Sequence, residues 1–194
     1  KLSNPTRTAL MSKLILLNKP YDVVSQFTDK DGAKTLAQFV STKRVYPAGR
    51  LDKDSEGLLL LTNDGALQAR ISEPKQKMAK SYWVQVEKTV SPSTVKQLSL
   101  GIQLSDGMTL PAKVKHIREP ADLWPRNPPV RRRDTVPTDW LEITIEEGRN
   151  RQIRRMTAAV GHPTLRLIRH RIGDWQLGDL QPGESIVLNK PSFL

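Results

Sequence analysis

The chain has 194 residues, enough for one large domain or two small packed ones with a substantial core. It carries 31 Lys and Arg against 20 Asp and Glu, a formal net charge of +11, so a polyanion such as a nucleic acid is the expected partner. The absence of cysteine excludes disulfides and thiolate chemistry, and no apolar run approaches the roughly 18 residues of a membrane span. Without a signal-peptide core, we expect a cytoplasmic protein with no membrane partner.

The amino-terminal part predicts two strands and a short helix. Lys1 to Ser12 carries two basic residues and no acidic one, which is typical of a flexible basic tail. Lys13 to Asn18 predicts a compact apolar strand, and Val23 to Phe27 predicts a second strand that pairs back to it. In Thr35 to Val40 the apolar residues share one face of a short helix.

The stretch from Arg44 to Gly65 is where the sequence best supports chemistry. A turn leads into Arg50-Leu-Asp52, and a polar loop then leads into Leu58 to Leu61, an apolar run that predicts a buried strand. Loops fixed by a rigid scaffold often carry catalytic groups, and a nearby arginine favours the ionised form of an aspartate. The same pattern also fits a surface salt-bridge loop between two strands.

Clear start and stop signals mark the next elements. Asp64 can cap a helix from Gly65 to about Ile71. Lys80 to Glu87 alternates with the two-residue period of a half-buried strand. Ser91 can cap a helix over Pro92 to Leu100, because proline at the first helical position has no amide to leave unpaired.

A basic, proline-rich insert interrupts this pattern. It follows a predicted strand over Leu110 to Ile117 and extends from Glu119 to Asp139, where five prolines exclude regular structure. About 20 irregular residues inside a compact domain are usually either functional or disordered. Because four arginines crowd this insert, we favour a binding loop.

The last third predicts three strands and one helix. The strands are Leu141 to Ile145, Thr164 to about Ile172 and Ile186 to Leu188. Asn150 can cap a helix from Arg151 to Val160 with one apolar stripe. Since helices and strands mix without strict βαβ alternation, we expect an α+β fold with a mixed, mostly antiparallel sheet flanked by helices.

Arginine is concentrated between Gly148 and Gly173, where there are seven arginines and no acidic residue. Such a density repels itself unless a polyanion or an embedded carboxylate compensates. Arginine suits bidentate phosphate contacts and stacking on bases, and a solvated basic face is the simpler alternative.

The sequence lacks the residues required for nucleotide binding, metal binding or a serine nucleophile. The sequence has no G-x-x-x-x-G-K-[ST] phosphate loop and no G-x-G-x-x-G after a predicted strand. The histidines His116, His162 and His170 form no helical pair with a nearby carboxylate, so we expect no metal site. Ser55 lacks the preceding glycine of a nucleophile elbow. Any nucleophile must therefore be a carboxylate.

Three ordered motifs carry a family resemblance. They are G-R-L-D-K-D-S-E-G-L-L-L-L-T-N-D-G at 49–65, K-S-Y at 80–82 and E-G-R-N-R-Q-I-R-R-M at 147–156. Together they resemble the motifs of the RNA pseudouridine synthases of the ribosomal small-subunit synthase A type. The segment L-W-P-R-N-P-P-V-R at 123–131, and the lack of room for an S4 RNA-binding domain before Leu14, resemble the large-subunit synthase E branch.

The resemblance implies the pseudouridine synthase catalytic fold, with a catalytic cleft on the sheet and one catalytic domain over 13–194 made of two packed subdomains. It implies that uracil is detached from its ribose at N1, rotated and rejoined through C5, without cofactor or metal. Asp52 would be the essential carboxylate, buried and paired with Arg154. Attack on C1′, addition to C6 and promotion of a glycal intermediate all remain open for Asp52.

The other site residues follow from the same resemblance. Tyr82 would stack on the target base and help to remove the C5 proton, and Ile153 would pack beside the ring. Arg50 would fill the gap left when the uridine is flipped out of the RNA. Tyr82 and Ile153 also fit plain core positions, and Arg154 fits a phosphate contact. Ser55 stands where the family loop commonly has Thr, which keeps the hydroxyl.

By the same resemblance, the partner would be 23S ribosomal RNA, at a uridine near the peptidyl-transferase region, bound by a monomer. The insert and the arginine-rich segment would follow the RNA backbone. The alternatives are a non-catalytic RNA-binding protein and a synthase that acts on small-subunit or transfer RNA. The predicted RNA-binding residues are Arg126, Arg131, Arg132, Arg133, Arg149, Arg151, Arg155, Arg166, Arg169 and Arg171.

Overall fold

A computed structural model of the chain describes residues 11–131 and 133–189. Most of the predicted basic tail, residues 1–10, lies outside these ranges, as does Arg132. The strands are β1 (Lys13–Lys19), β2 (Tyr46–Pro47), β3 (Glu56–Thr62), β4 (Lys80–Glu87), β5 (Gln103–Leu104), β6 (Gly107–Met108), β7 (Lys113–Ile117), β8 (Thr138–Ile145), β9 (Thr164–Ile172), β10 (Trp175–Gln176) and β11 (Ser185–Asn189). The α-helices are α1 (Gly65–Ser72), α2 (Pro92–Leu100) and α3 (Gln152–Ala159), and short 3-10 helices span Leu36–Gln38 and Pro74–Gln76.

One nine-stranded sheet organises these elements, in the order β11-β1-β3-β9-β4-β8-β7, with β10 on β9 and β2 on β3. The β3–β9 pair is parallel and the other pairs of this sheet are antiparallel. That parallel register consists of Glu56 opposite Ile168 and Gly57 opposite Arg169. The predicted α+β fold with a mostly antiparallel sheet is confirmed, whereas the single catalytic domain with two packed subdomains stays a prediction.

Alternation along β3 and β9 separates the two faces of the sheet. Leu58 and Ile168 belong to one apolar cluster, which α1 covers, and we call this side the back face. Leu59 belongs to a second cluster. Leu167 belongs to a third cluster, and α2 and α3 cover this third one. Because successive strand residues point to opposite sides, the second and third clusters share the front face, one on each side of the β3–β9 contact.

Helix capping follows the sequence at two of three positions. Asp64 accepts hydrogen bonds from the amides of Ala66 and Leu67, and Ser91 accepts one from the amide of Thr94, so both predicted caps are confirmed. The prediction that Asn150 caps the third helix is wrong. Helix α3 starts at Gln152 after Arg151, which has a left-handed φ of 49° and makes no side-chain cap.

The predicted strand over Val23 to Phe27 is also wrong. In this segment Val23 forms only an isolated bridge, with Lys34. Both edges of β1 are already occupied, by β3 on one side and β11 on the other, so the chain after Pro20 has no free edge to pair with. The segment instead supports the loop before β3, because Ser25 Oγ donates to the carbonyl of Leu51.

The described residues of the proline-rich insert before Thr138, where β8 begins, form no helix or strand, and the insert is nevertheless docked on the sheet. Trp124 packs against the back-face cluster, and its indole N–H donates to Glu56 Oε1 at 2.9 Å. The guanidinium of Arg126 lies over the ring of Tyr21, 4.1 Å from its centroid. In the described ranges no helix is both long and apolar enough to cross a membrane.

Gly57 is required by the β3–β9 contact. Its φ is +106°, and a Cβ there would lie 2.2 Å from the carbonyl oxygen of Arg169. We predict that Gly57→Ala lowers the free energy of unfolding by about 2–4 kcal/mol, because both the backbone conformation and the close approach forbid a side chain. Chemical denaturation measures this loss.

The matched control is Gly65→Ala at the exposed start of α1, where a Cβ meets nothing within 4 Å. Alanine there should stabilise the protein slightly, by about 0.5 kcal/mol, since glycine costs helix stability. Equal effects of the two substitutions would contradict the proposed role of Gly57.

Candidate active site

A cleft of about 480 Å³ lies on the front face, between the apolar clusters on the two sides of the β3–β9 contact. One wall is the loop from Ala48 to Ser55, and the opposite wall is the segment from Ile145 to Ile153. Leu167 and Arg169 of β9 and Tyr82 of β4 line it from the sheet. The cleft therefore lies where the two halves of the sheet meet.

Four of the five residues predicted for catalysis and substrate binding line this cleft together. Asp52 and Arg50 come from the loop before β3, Tyr82 from β4 and Ile153 from α3. Tyr82 is 9% exposed and Ile153 is 3% exposed, and both belong to the apolar cluster under α3. Each thus serves the core and also borders the cleft. Their predicted roles towards a base stay predictions.

The backbone of the loop that carries Asp52 is held along its length. All five carbonyl groups from Arg50 to Asp54 accept a hydrogen bond. The donors to carbonyls 50, 51, 52, 53 and 54 are Arg169 Nη1 (3.3 Å), Ser25 Oγ (2.6 Å), Ser55 N (3.0 Å), Asp22 N (2.8 Å) and Arg154 Nη2 (2.7 Å). Besides Ser55 of the loop itself, groups from three other parts of the chain therefore hold the backbone that carries this carboxylate.

Asp52 is not buried as predicted, because 40% of its side chain is exposed. It stands at the rim of the cleft and also borders a second hollow lined by Tyr21 and Asp54, so solvent reaches it from two sides. Its Oδ2 lies 3.3 Å from Nη1 of Arg151. A guanidinium therefore accompanies the carboxylate, but it is not the one expected.

The predicted ion pair between Asp52 and Arg154 is wrong. Arg154 donates instead to the carbonyl of Asp54 at 2.7 Å and to Ser55 Oγ at 3.4 Å, with Asp54 Oδ1 at 3.6 Å. Arg151 takes the ion pair expected of Arg154, since it pairs with Asp52 and also binds both carboxylate oxygens of Asp54. Those hydrogen bonds from Arg151 are the main cause of a lowered pKa at Asp54.

Embedded carboxylates compensate much of the arginine-rich segment. Arg149 pairs with Glu147 at 3.1 Å and donates to two backbone carbonyls, and Arg155 binds both carboxylate oxygens of Asp106. Arg171 donates to the carbonyl of Gly173 and remains 46% exposed. Of the two explanations that the sequence left open for this charge density, the embedded carboxylate accounts for most of it.

Two of the predicted RNA-binding arginines are buried in β9, so the prediction that they follow an RNA backbone at the surface is wrong. Arg166 points to the back face and binds both oxygens of the buried Glu56, at 2.8 and 2.9 Å. Arg169 points to the front face, is 3% exposed and borders the cleft. Both follow from strand alternation, which sends residues of odd separation to opposite faces.

The insert supplies exposed arginines. Arg131 and Arg133 are exposed, whereas half-buried Arg126 uses its guanidinium to bind the carbonyls of Pro128, Pro129 and Leu165. The predicted RNA contacts of the exposed arginines stay predictions. In the described part of the chain, no group of three or more His, Asp and Glu side chains is arranged to hold a metal ion.

The sequence interpretation missed two lysines beside this loop. Lys19 is fully buried, donates to the carbonyls of Pro20 and Val23 at 2.8 Å, and burial lowers its pKa to about 7 against an opposing effect of Glu56. Lys80 lines the cleft, and burial, followed by the charge of Arg169, lowers its pKa to about 8. The available signals were a lysine directly after an apolar strand and the first residue of K-S-Y.

Lys19 makes the stability of the fold depend on pH. Its pKa is about 7 in the folded state and about 10.4 in an unfolded chain, so between these values the unfolded state binds more protons. We predict that the free energy of unfolding rises with pH from 7 to 10, with up to about 1.4 kcal/mol per pH unit from this group. Denaturant titrations at several pH values measure the slope.

The variant for this test is Lys19→Met, which keeps the length of the side chain and removes the proton. It should flatten the slope, while the contribution of Lys80 in the same direction above about pH 8 remains. An identical slope in the wild type and the variant would contradict the titration of Lys19 in this range.

Most of the chain is similar to known proteins of one family. A family model described as RNA pseudouridylate synthase matches residues 13–159. The chain is 58% identical over 183 residues to the ribosomal large subunit pseudouridine synthase E of Vibrio parahaemolyticus, covering 94% of this chain and 76% of that protein. It is 57% identical over 173 residues to the protein of the same name from Xanthomonas campestris, covering 88% and 92%. A crystal structure of a pseudouridylate synthase matches with a TM-score of 0.76 and 31% identity, over 93% of this chain and 72% of that one.

Proposed function

The chain belongs to the RNA pseudouridylate synthase family, and from this we propose that it isomerises one uridine of large-subunit ribosomal RNA, with Asp52 as the essential carboxylate. It is an RNA pseudouridine synthase. The observation that carries the proposal for Asp52 is the loop on which it lies, because all five carbonyls from Arg50 to Asp54 are hydrogen bonded. Such a preorganised carboxylate beside a nucleotide-sized cleft suits chemistry on one extruded base.

The substrate proposal rests on names of relatives. The proteins from Vibrio parahaemolyticus and Xanthomonas campestris, 58% and 57% identical to this chain, are both named for the large ribosomal subunit. We infer that this chain acts on 23S ribosomal RNA, at a uridine near the peptidyl-transferase region. Recognition would use the shape and the unpaired bases of the RNA, since the major groove of an RNA duplex is closed to side chains.

In the proposed reaction the C1′–N1 bond breaks, the uracil turns within the cleft, and C5 takes the place of N1 at C1′. C5 loses its proton and N1 gains one, so the composition of the nucleotide is unchanged. Asp52 stands at the cleft rim, where its 40% exposure leaves it accessible to the ribose of the nucleotide, and Arg151 Nη1 lies 3.3 Å from its Oδ2. Tyr82 stacks on the base and assists removal of the C5 proton, with Ile153 beside the ring.

Two arginines have supporting roles in this proposal. Arg154 positions Asp52 indirectly, because it binds the carbonyl of Asp54 rather than the Asp52 carboxylate. The backbone of Arg50 is held because Arg169 binds its carbonyl. Its side chain is exposed at the cleft rim and can enter the gap left by the flipped uridine. The exposed Arg131 and Arg133 of the insert contact RNA phosphates outside the cleft.

The first test replaces the proposed essential carboxylate. Asp52→Asn keeps the size and shape of the side chain and removes its charge, so we expect no detectable tritium release from large-subunit RNA labelled at uridine C5. Affinity for the RNA should change less than about threefold, because one rim carboxylate adds little to a contact dominated by phosphates. Full activity in this variant would overturn the assignment.

The matched control is Asp174→Asn, which neutralises a fully exposed carboxylate outside the cleft. It should release tritium at the wild-type rate. RNA binding without tritium release in the wild type would favour the non-catalytic alternative. Release from small-subunit or transfer RNA alone would keep the reaction and correct the substrate.

The second test addresses the insert. We expect the double variant Arg131→Gln and Arg133→Gln to weaken RNA binding and to reduce the slope of log K against log salt by about 1.4–1.8, since each phosphate contact contributes about 0.7–0.9. Filter binding over a range of salt concentrations measures the slope. The control removes two exposed charges elsewhere, Lys30→Gln and Lys96→Gln. An equal reduction in the control would reject a specific role for the insert.

A further inference from the structure

Arg169 has an unused hydrogen-bond donor at the cleft. Its side chain is 3% exposed, and it donates through Nε to the carbonyl of Leu58 at 2.8 Å and through Nη1 to the carbonyl of Arg50 at 3.3 Å. The remaining nitrogen, Nη2, is buried and has no hydrogen-bond partner among the residues that the structure describes. A buried N–H group that lacks a partner is uncommon in folded proteins, so this one requires an explanation.

The position of this guanidinium is fixed rather than accidental. The backbone of Arg169 abuts Gly57, and two of the guanidinium nitrogens are already bound to carbonyls of the β3 region. In the strand register, Arg169 lies directly opposite Tyr82, and both side chains border the cleft. Arg169 therefore borders the same cleft as the tyrosine that we propose to stack on the base, with its guanidinium held on the β3 side.

A second cation lies close to it. Lys80 is on the same face of β4 as Tyr82, borders the cleft and donates to the carbonyl of Met78 at 3.2 Å. The charge of Arg169 contributes, after burial, to the lowering of its pKa to about 8, so the two cations repel each other. In the described part of the chain neither one forms an ion pair with a carboxylate. Two cations that border one cleft without a paired acid create a local positive potential suited to an electronegative group.

We propose that Arg169 Nη2 and the ammonium group of Lys80 bind the carbonyl oxygens of the flipped uracil and stabilise the negative charge that the ring acquires during the reaction. This inference rests on the proposed function. A phosphate is the less suitable ligand, because Arg169 is buried at the sheet, where a planar base can reach more readily than a tetrahedral group on the RNA backbone.

Each route open to Asp52 places charge on these oxygens. If the C1′–N1 bond breaks, by attack on C1′ or by glycal formation, its electron pair stays with the uracil and is shared by N1, O2 and O4. If Asp52 adds to C6, the electrons of the C5–C6 double bond move to an enolate at O4. In every case a fixed cation at a carbonyl oxygen lowers the barrier, and the charge is discharged when the ring is protonated again.

The test combines a protein change with a substrate change. Lys80→Met should lower the single-turnover rate about 10- to 100-fold, with the RNA dissociation constant changed less than about threefold. Lys80→Arg keeps the charge and should recover most of the rate. Lys75→Met removes an exposed lysine on the neighbouring 3-10 helix and should leave the rate unchanged.

The substrate arm uses RNA with 2-thiouridine or 4-thiouridine at the target position, because sulfur accepts hydrogen bonds more weakly than oxygen. One of these substitutions should slow the wild type and have a smaller effect in Lys80→Met or in Arg169→Lys, which is the coupling expected of groups in contact. Wild-type rates in Lys80→Met, or independent effects of protein and substrate changes, would overturn this inference. A wild type inactive on the unmodified RNA would instead overturn the proposed function.

Discussion

The hydrogen bonds that hold the carbonyls from Arg50 to Asp54 are the constraint on which this site depends. A carboxylate on an unsupported exposed loop would sample many positions, and the unproductive ones would lower the reaction rate. Here the donors come from β9, from α3 and from the segment after β1, so the loop is stable only when these elements are assembled. The contact between Gly57 and the Arg169 backbone completes the assembly, because it sets the distance between the two halves of the sheet.

The distribution of charge also shapes this site. The chain carries a net charge of +11, yet many of its arginines are occupied by carboxylates and carbonyls of the protein itself. Arg166 and Glu56 form a buried pair that also holds Trp124, which docks the insert on the back face. What remains for RNA is a set of exposed cations around the cleft, with the buried Arg169 and the half-buried Lys80 inside it. Internal pairing therefore selects which positive charges are available to a ligand.

Much of the fold was predictable from local patterns, and the exact partners were not. Alternation identified β4, and capping residues located α1 and α2, since these signals act over a few neighbouring residues. The motif resemblance identified Asp52 and Tyr82 as cleft residues. The partner of Asp52 could not be read from the sequence, because Arg151 and Arg154 lie three residues apart on the same segment and only the packing of α3 decides which one faces it. The burial of Arg169 likewise depends on strand register.

In the proposed reaction, one flipped uridine enters the cleft between the two halves of the sheet and meets Asp52 there. A crystal structure of the Asp52→Asn protein with a large-subunit RNA fragment tests it most directly. We expect the target nucleotide in the cleft, with residue 52 about 3–3.5 Å from its reacting carbon, the ring against Tyr82, and a carbonyl oxygen at Arg169. An RNA bound across the insert, with every base stacked outside the cleft, would contradict it.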